Sequence, residues 1–363
     1  MKRTLRWIAL ILLFAVVVWG VFFLKVSGIF LTLEPKAAGV CTTVTDGGIA
    51  GIEDLTIDPD THIAYLAGYD RRAALAGKTV RGAIWGYDLK NRAGALDLTA
   101  AALPEGFHPH GISLYRAPDG QKTLFVINHA NQKHTIEIFD IAGTTLKHRR
   151  TVTGPQLISP NDIVGVGPDA FYVTNDHKYR SGLMRIAEDF LRLPLTTVEF
   201  YDGKQFSTAL TGLGGSNGIN VSGDGRTLYV SAASELTVYV YDRDPQTNVL
   251  AKRAAIAVPG FADNIEVLTN GDLLLGVHSK LFDLLAHFAD ASARSPSHIM
   301  LLKANGKGGF TPQTVYYNLG EEISGASVGA SIGKRLLIGS IFEPKILDCT
   351  WEGAPQESSA TSR

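Results

Sequence analysis

The chain has 363 residues, with 34 Lys plus Arg against 35 Asp plus Glu and a net charge of −1. It carries no basic stripe with interleaved aromatics, which argues against a nucleic-acid partner. The length suits two average domains, but no Pro/Ser-rich linker interrupts the middle of the chain, so one large unit over 34–351 is expected.

Residues 1–33 stand apart. Lys2, Arg3 and Arg6 precede an uncharged run from Trp7 to Leu24, and after Lys25 the chain stays mostly apolar to Leu33. Eighteen or more apolar residues suffice for a spanning helix. A cleaved signal peptide has a shorter core and small residues at its cleavage site, whereas bulky Trp19, Phe22 and Phe23 occupy that region here. The reading is a retained membrane anchor, with a cleaved signal or a buried core helix as alternatives. Basic residues stay in the cytoplasm, which places the body outside it, in a periplasmic or extracellular setting.

Residues 34–44 read as a short tether running into the first or closing strand. A repeating pair of elements follows from about residue 45 to 345. Short apolar strands open at Glu53-Asp54, His110-Gly111, Asn161-Asp162, Asn217-Gly218 and Asp263-Asn264, with a weaker sixth at Ser324-Gly325. About ten to fourteen residues after each comes a second strand: IAYLAG (63–68), TLFVIN (123–128), AFYVTN (170–175), TLYVSA (227–232), DLLLGV (272–277) and RLLIGS (335–340). Six copies imply an all-β chain folded as a six-bladed β-propeller, with four-stranded sheets arranged radially about a tunnel.

Further strands at 81–89, 135–141, 237–243 and 297–304 alternate with period two, as expected of outer, half-buried strands. Segments 183–193 and 281–293 have helical spacing, with Pro194 and Pro296 helping to stop them. Helices inserted between strands suit lids over one end of the tunnel. The polar tail, 352–363, is expected to be disordered. The two cysteines, Cys41 and Cys349, flank the repeat. In an oxidising compartment they could form a disulfide where the ring closes, or they could be two unrelated buried thiols.

Equivalent positions in successive blades face one another across the axis. Here they carry Glu53, Asn161, Asn217, Asp263 and Asn264, five hard oxygen donors. Asn-Gly and Asp-Asn are common turn pairs, and any one of them alone reads as turn chemistry. Together they read as a calcium site, because Ca2+ takes six to eight oxygens in tolerant geometry and two carboxylates balance its charge. Zinc prefers thiolate or imidazole. Asp54 and Asp162 follow directly and suggest a second, more enclosed calcium. His110 stands at a ring position and His129 closes the following strand, so the two could meet, and an imidazole there suits general-base work. His177 and His278 also lie at strand ends, where a hydrogen-bonded structural role is equally open.

The stretches GIEDLTID (51–58), HPHGISLY (108–115), VINHANQKHTIEIF (126–139), SPNDIVGVGPDAFYVTNDH (159–177), SNGINVSGDG (216–225) and FADNIEVLTNGDLLLGVH (261–278) resemble the paraoxonase/arylesterase family. The similarity runs in order from Cys41 to Cys349. It implies a six-bladed propeller with two tunnel calcium ions, a disulfide joining the ends, and hydrolysis of lactones with side activity on aryl esters and organophosphates. It further implies Glu53, Asn161, Asn217, Asp263 and Asn264 as ligands of a catalytic calcium. Asp54, Asp162 and the Ile112 carbonyl would hold a structural one, and His110 with His129 would form a histidine dyad. The departures are His108, the basic loop 69–81, and a helix at 183–193 poor in aromatics.

The expected chemistry is metal-assisted hydrolysis of a small lactone or ester. No G-x-S-x-G elbow is present, and SGASVGAS (324–331) lacks its spacing. Two rivals remain at this level: a gluconolactonase-like sugar lactonase, and a non-catalytic propeller that binds ligands through a calcium-stabilised face.

Overall fold

The computed structural model describes residues 2–355 apart from 93, 101, 102, 104, 105, 131, 132, 144 and 307. Most of the expected disordered tail, 356–363, therefore lies outside the described residues. The chain opens with helix α1 (Lys2–Val26), none of whose residues is buried. By length and composition it can cross a bilayer.

The strands that follow form six four-stranded sheets, confirming a six-bladed propeller. Strand β1 (Gly39–Val44) is held back for closure. The first blade is β2 (Ile52–Asp58), β3 (Ile63–Gly68), β4 (Ala83–Asp88) and β5 (Leu96–Asp97). The second is β6 (Pro109–Arg116), β7 (Lys122–Asn128), β8 (Thr135–Ala142) and β9 (Thr145–Val152). The third is β10 (Pro160–Gly165), β11 (Phe171–Asn175), β12 (Thr196–Tyr201) and β13 (Phe206–Leu213). The fourth is β14 (Ser216–Val221), β15 (Thr227–Ala232), β16 (Thr237–Arg243) and β17 (Leu250–Ala257). The fifth is β18 (Phe261–Val267), β19 (Leu273–His278), β20 (Ser297–Ala304) and β21 (Phe310–Asn318). The sixth takes β22 (Ala326–Ile332), β23 (Arg335–Ser340) and β24 (Ile346–Trp351), and β1 completes it as the outermost strand.

Closure is antiparallel and places Cys41 opposite Cys349, where a disulfide joins them. The alternative of two unrelated thiols is thereby set aside. Each blade packs its faces against both neighbours, so the core is divided into apolar wedges. Phe125, Ile127, Ile136 and Ile138 of the second blade meet Ile163, Phe171 and Val173 of the third, for example. Burying each such side chain contributes about 1.5–3 kcal/mol. This explains one departure from the sequence reading. Strands β4, β8, β16 and β20 are third in their blades; β8 and β16 are about half buried as expected, whereas β4 and β20 are mostly buried. Their alternation separates residues facing one neighbouring blade from residues facing the other.

Among the described residues three α-helices interrupt the blades: α2 (Arg71–Leu75), α3 (Leu183–Leu191) and α4 (Leu281–Ala289). Each follows a second strand whose C-terminal end pairs with the opening of an inner strand. All three therefore sit at the tunnel end where the polar couples lie.

Candidate active site

Every inner strand changes register near its opening, and in the first five blades the change falls at or beside the polar couple. In β10 the pairing jumps from Pro160↔Asn175 to Ile163↔Val173, in β14 from Ser216↔Ala232 to Ile219↔Val230, and in β18 from Ala262↔Val277 to Ile265↔Leu275. The same slip falls around Glu53 in β2 and around His110-Gly111 in β6. A bulge frees side chains from strict up-down alternation and re-aims them. In β22 it falls at Ser327, which donates to the Glu53 carbonyl at 2.5 Å. The sixth ring position is thus Ser327. Ser324-Gly325, expected from sequence, lies before the strand, with Ser324 bonded to the Ser295 backbone.

The narrow axis also explains two of the glycines. A Cβ at Gly111 would lie 2.5 Å from the Asn161 carbonyl, and one at Gly218 would lie 2.2 Å from the Asp263 carbonyl. Inner strands of neighbouring blades could not approach so closely with side chains there.

Glu53, Asp54, Asn161, Asp162, Asp263 and Asn264 are all buried. Asn264 donates through Nδ2 to the Glu53 carbonyl at 3.0 Å and to Glu53 Oε1 at 3.1 Å. Asn161 Nδ2 reaches Asp176 Oδ2 at 3.4 Å. Their amide nitrogens are engaged while their oxygens are not. Among the described residues, the buried side-chain oxygens without a hydrogen-bond partner include Glu53 Oε2, Asn161 Oδ1, Asn217 Oδ1 and Asn264 Oδ1. Glu53 Oε2 lies 3.2 Å from His110 Nε2, but without hydrogen-bond alignment. An orphaned buried acceptor costs about 1–3 kcal/mol, so stability alone does not account for the cluster. These oxygens fit a hard cation. Among the described residues no group of three His, Cys, Asp or Glu side chains could hold a metal by itself, so a cation here depends on the amides.

Burial works against charge on Glu53, but His110 and Arg71 hold its carboxyl below the usual range. Asp263 is pushed up by burial despite a 2.7 Å hydrogen bond to His278 Nε2. Deeper in the tunnel, Asp54 Oδ2 accepts from the Ile112 amide and Asp162 Oδ2 from the Ile219 amide, each at 2.7 Å. Each carboxylate thus ties its inner strand to that of the next blade. Burial raises both well above the ordinary aspartate range; Asp162 and Glu53 add to the effect at Asp54, and Glu53 and Glu266 add to it at Asp162.

His110 Nδ1 lies 2.8 Å from His129 Nε2, so the two imidazoles meet. His177 Nε2 is hydrogen-bonded to Asp189 Oδ1 at 2.7 Å while its Nδ1 pairs with Asp176 Oδ1 at 2.7 Å, and His278 is bonded to Asp263, which gives both histidines local partners. His108 stacks on Tyr69, with ring centroids 4.2 Å apart.

Three residues near the site escaped the sequence reading. Arg71 lies in the loop noted as basic; its Nη1 reaches the Gly51 carbonyl at 3.1 Å, and it interacts electrostatically with Glu53 and Asp263. Glu266 stands two residues after Asn264, a spacing that could have flagged it, and burial pushes it to about 8. His134 lies within VINHANQKHTIEIF but at no ring position, and only its contact with His129 brings it to the site.

The end of α1 rests on the helices of this same face. Phe23 packs 5.2 Å from Phe190 of α3 and 6.3 Å from Phe282 of α4, and the Leu281 amide donates to the Ser27 carbonyl. A cavity of about 930 Å3 opens at the opposite end of the tunnel, lined by Thr56, Ser113, Tyr115, Asn220 and Glu266 among others. It lacks the histidine pair and the orphaned oxygens, and we place the site at the helix-bearing end.

A sequence model of the arylesterase family matches residues 50–350. The chain belongs to this family. It is 32% identical over 239 residues to the serum paraoxonase/arylesterase 2 of Bos taurus, covering 65% of this chain and 67% of that protein. It is 33% identical over 263 residues to the serum paraoxonase/lactonase 3 of Oryctolagus cuniculus, covering 71% and 73%. A luciferin-regenerating enzyme shares the fold with a TM-score of 0.56 at 14% identity, over 87% of this chain and 96% of that one.

Proposed function

We propose that this chain is a calcium-dependent hydrolase of lactones and aryl esters, held at a membrane by α1 with its propeller outside the cytoplasm. The orphaned oxygens of Glu53, Asn161, Asn217 and Asn264 carry the reading, and membership of the arylesterase family supports it. With Asp263 they offer five oxygens, two of them from carboxylates, which suits Ca2+. Asp54, Asp162 and the Ile112 carbonyl would hold a second ion, relieving repulsion between carboxylates that are costly to bury charged.

A bound calcium would supply the positive charge that polarises the ester carbonyl and offsets the charge developing on its oxygen. The remaining work falls to the chain. His110 presents Nε2 to the ring and would take a proton from the attacking water. His129 orients it through Nδ1, and burial, reinforced by His110 and His134, holds His129 well below the usual range, so it is neutral and able to accept. Asn161 and Asn217 would add hydrogen bonds to the developing oxyanion.

The test is turnover of simple lactones and aryl esters by the full chain, before and after chelation. Activity should vanish with chelator and return with Ca2+, and Asp263→Ala should lower kcat/KM at least about a hundredfold, as loss of an electrostatic stabiliser does. A protein that binds calcium yet hydrolyses none of these compounds is a binding propeller instead.

A further inference from the structure

The pair of histidines continues into a third. His129 Nδ1 lies 2.7 Å from His134 Nδ1, so Glu53, His110, His129 and His134 form an unbroken line of contacts at 3.2, 2.8 and 2.7 Å. Register explains the last contact. Asn128↔Thr135 is the final pair of β7 and β8, which sets residues 129 and 134 opposite each other at the base of the connecting loop. The two rings meet edge to face with centroids 4.8 Å apart. His134 is half-buried and has a side open to solvent, while the ring lies inside.

Resting on the hydrolase reading above, we infer that His134 is the outer member of a three-histidine relay carrying the water proton from the ring to solvent. The balance is simple. Water gives a proton to His110 Nε2 as its remaining hydroxide adds to the ester carbonyl. His110 Nδ1–H passes to His129 Nε2, His129 Nδ1–H passes to His134 Nδ1, and His134 Nε2–H leaves to solvent. Each imidazole ends neutral in its other tautomer, and one proton has crossed the wall. The groups facing His134 suit this role. Burial, with Arg180 and His110, holds it below the usual range against the opposing pull of Asp176, so it is neutral and can accept near pH 7. Lys133 precedes it but is exposed.

His134→Asn separates relay from scaffolding, because the amide can still hydrogen-bond His129 but cannot hand a proton on. The expected result is an unchanged Tm and KM with kcat on a lactone lowered about tenfold, below the usual range for loss of the base itself. His134→Gly should fall similarly and recover when imidazole is added to the buffer, a response that a purely structural role would not give. Wild-type kcat in His134→Asn, or no imidazole rescue of His134→Gly, overturns the relay and leaves the hydrolase reading standing. A wild-type protein that turns over no lactone or aryl ester overturns both.

Discussion

The disulfide offers a prediction whose size follows from chain topology. Cys41 and Cys349 are 308 residues apart in sequence and face each other in the sheet that closes the ring. In the chain-entropy account, a cross-link spanning so long a loop removes about 19 cal/mol/K from the unfolded ensemble, or about 5.7 kcal/mol at 25 °C. Residual structure in the denatured chain lowers this, so about 3–6 kcal/mol is the working range. Unfolding a chain of 363 residues releases on the order of 760 cal/mol/K at its midpoint, so the loss translates to a fall in Tm of about 4–8 °C. Cys41→Ala with Cys349→Ala removes the bond, at a further cost of about 1 kcal/mol for the small cavity at buried Cys349. Reduction of the unmodified chain by a thiol gives the same comparison without the cavity. Thermal melts of the oxidised, reduced and double-variant proteins, at fixed calcium, decide the matter. A shift below about 2 °C in both altered forms refutes the reasoning. It would mean that backbone pairing of β1 with β24 suffices to hold the ring and that the cross-link constrains little in the unfolded chain.

Metal removal should invert the usual acid sensitivity. Asp54 and Asp162 have raised folded pKa values, so their contribution is most favourable below the unfolded value near 4 and is lost as pH rises through the folded values. In chelator, Tm should therefore be higher at pH 5 than at pH 8, and Asp54→Asn should stabilise; with calcium present the same variant should destabilise. His177 is held at about 9 by Asp176 and Asp189 against the opposing effect of burial. Its stabilisation is fully present below about 6.5 and lost as pH rises through about 9. Linkage gives at most about 3 kcal/mol, discounted to about 1–2 because Asp189 is half exposed. Protection factors in α3, the intrinsic exchange rate at each pH divided by the observed one, should fall between pH 6 and 9.5 and lose that dependence in His177→Gln. Gly218→Ala should cost about 1–3 kcal/mol in urea unfolding and depress turnover, because the new methyl meets the Asp263 carbonyl; wild-type stability would mean the inner strands have slack.

The propeller was legible because two signals coincide. Second strands such as TLFVIN and TLYVSA are uniform apolar runs, and polar couples precede them at a steady distance. What escaped notice did so for physical reasons. Period-two reading assigns alternate residues to opposite faces, and a bulge breaks that assignment without changing composition. The sixth ring position illustrates this: Ser327 sits at the bulge of β22, while Ser324, the polar residue sequence points to, lies before the strand. The deeper burial of β4 and β20 was hidden because alternation normally marks one wet face, whereas a blade has dry neighbours on both sides. His134 depends on hairpin register, which sequence does not fix when the connecting loop is long. Arg71 reaches the ring from a helix of five residues, too short to show periodicity.

The candidate site was legible for the opposite reason: it departs from what folding alone would choose. Local consistency would have filled the bulged openings with turn residues whose amides satisfy their own strands. Asp54 accepts from the Leu55 amide of its own strand, but Glu53 has no such use, and the folded chain leaves Glu53 Oε2 and three asparagine oxygens without donors. Places where a chain accepts that cost are expected at functional sites. The same reasoning separates the two ends of the tunnel. The far cavity is large and open, yet its lining includes none of the orphaned oxygens, whereas the ring gathers four buried acceptors that no protein donor serves. A chain selected only for stability would more readily lose the second arrangement than the first, and the amide oxygens at this mouth are therefore the stronger pointer to chemistry than the larger space beyond them.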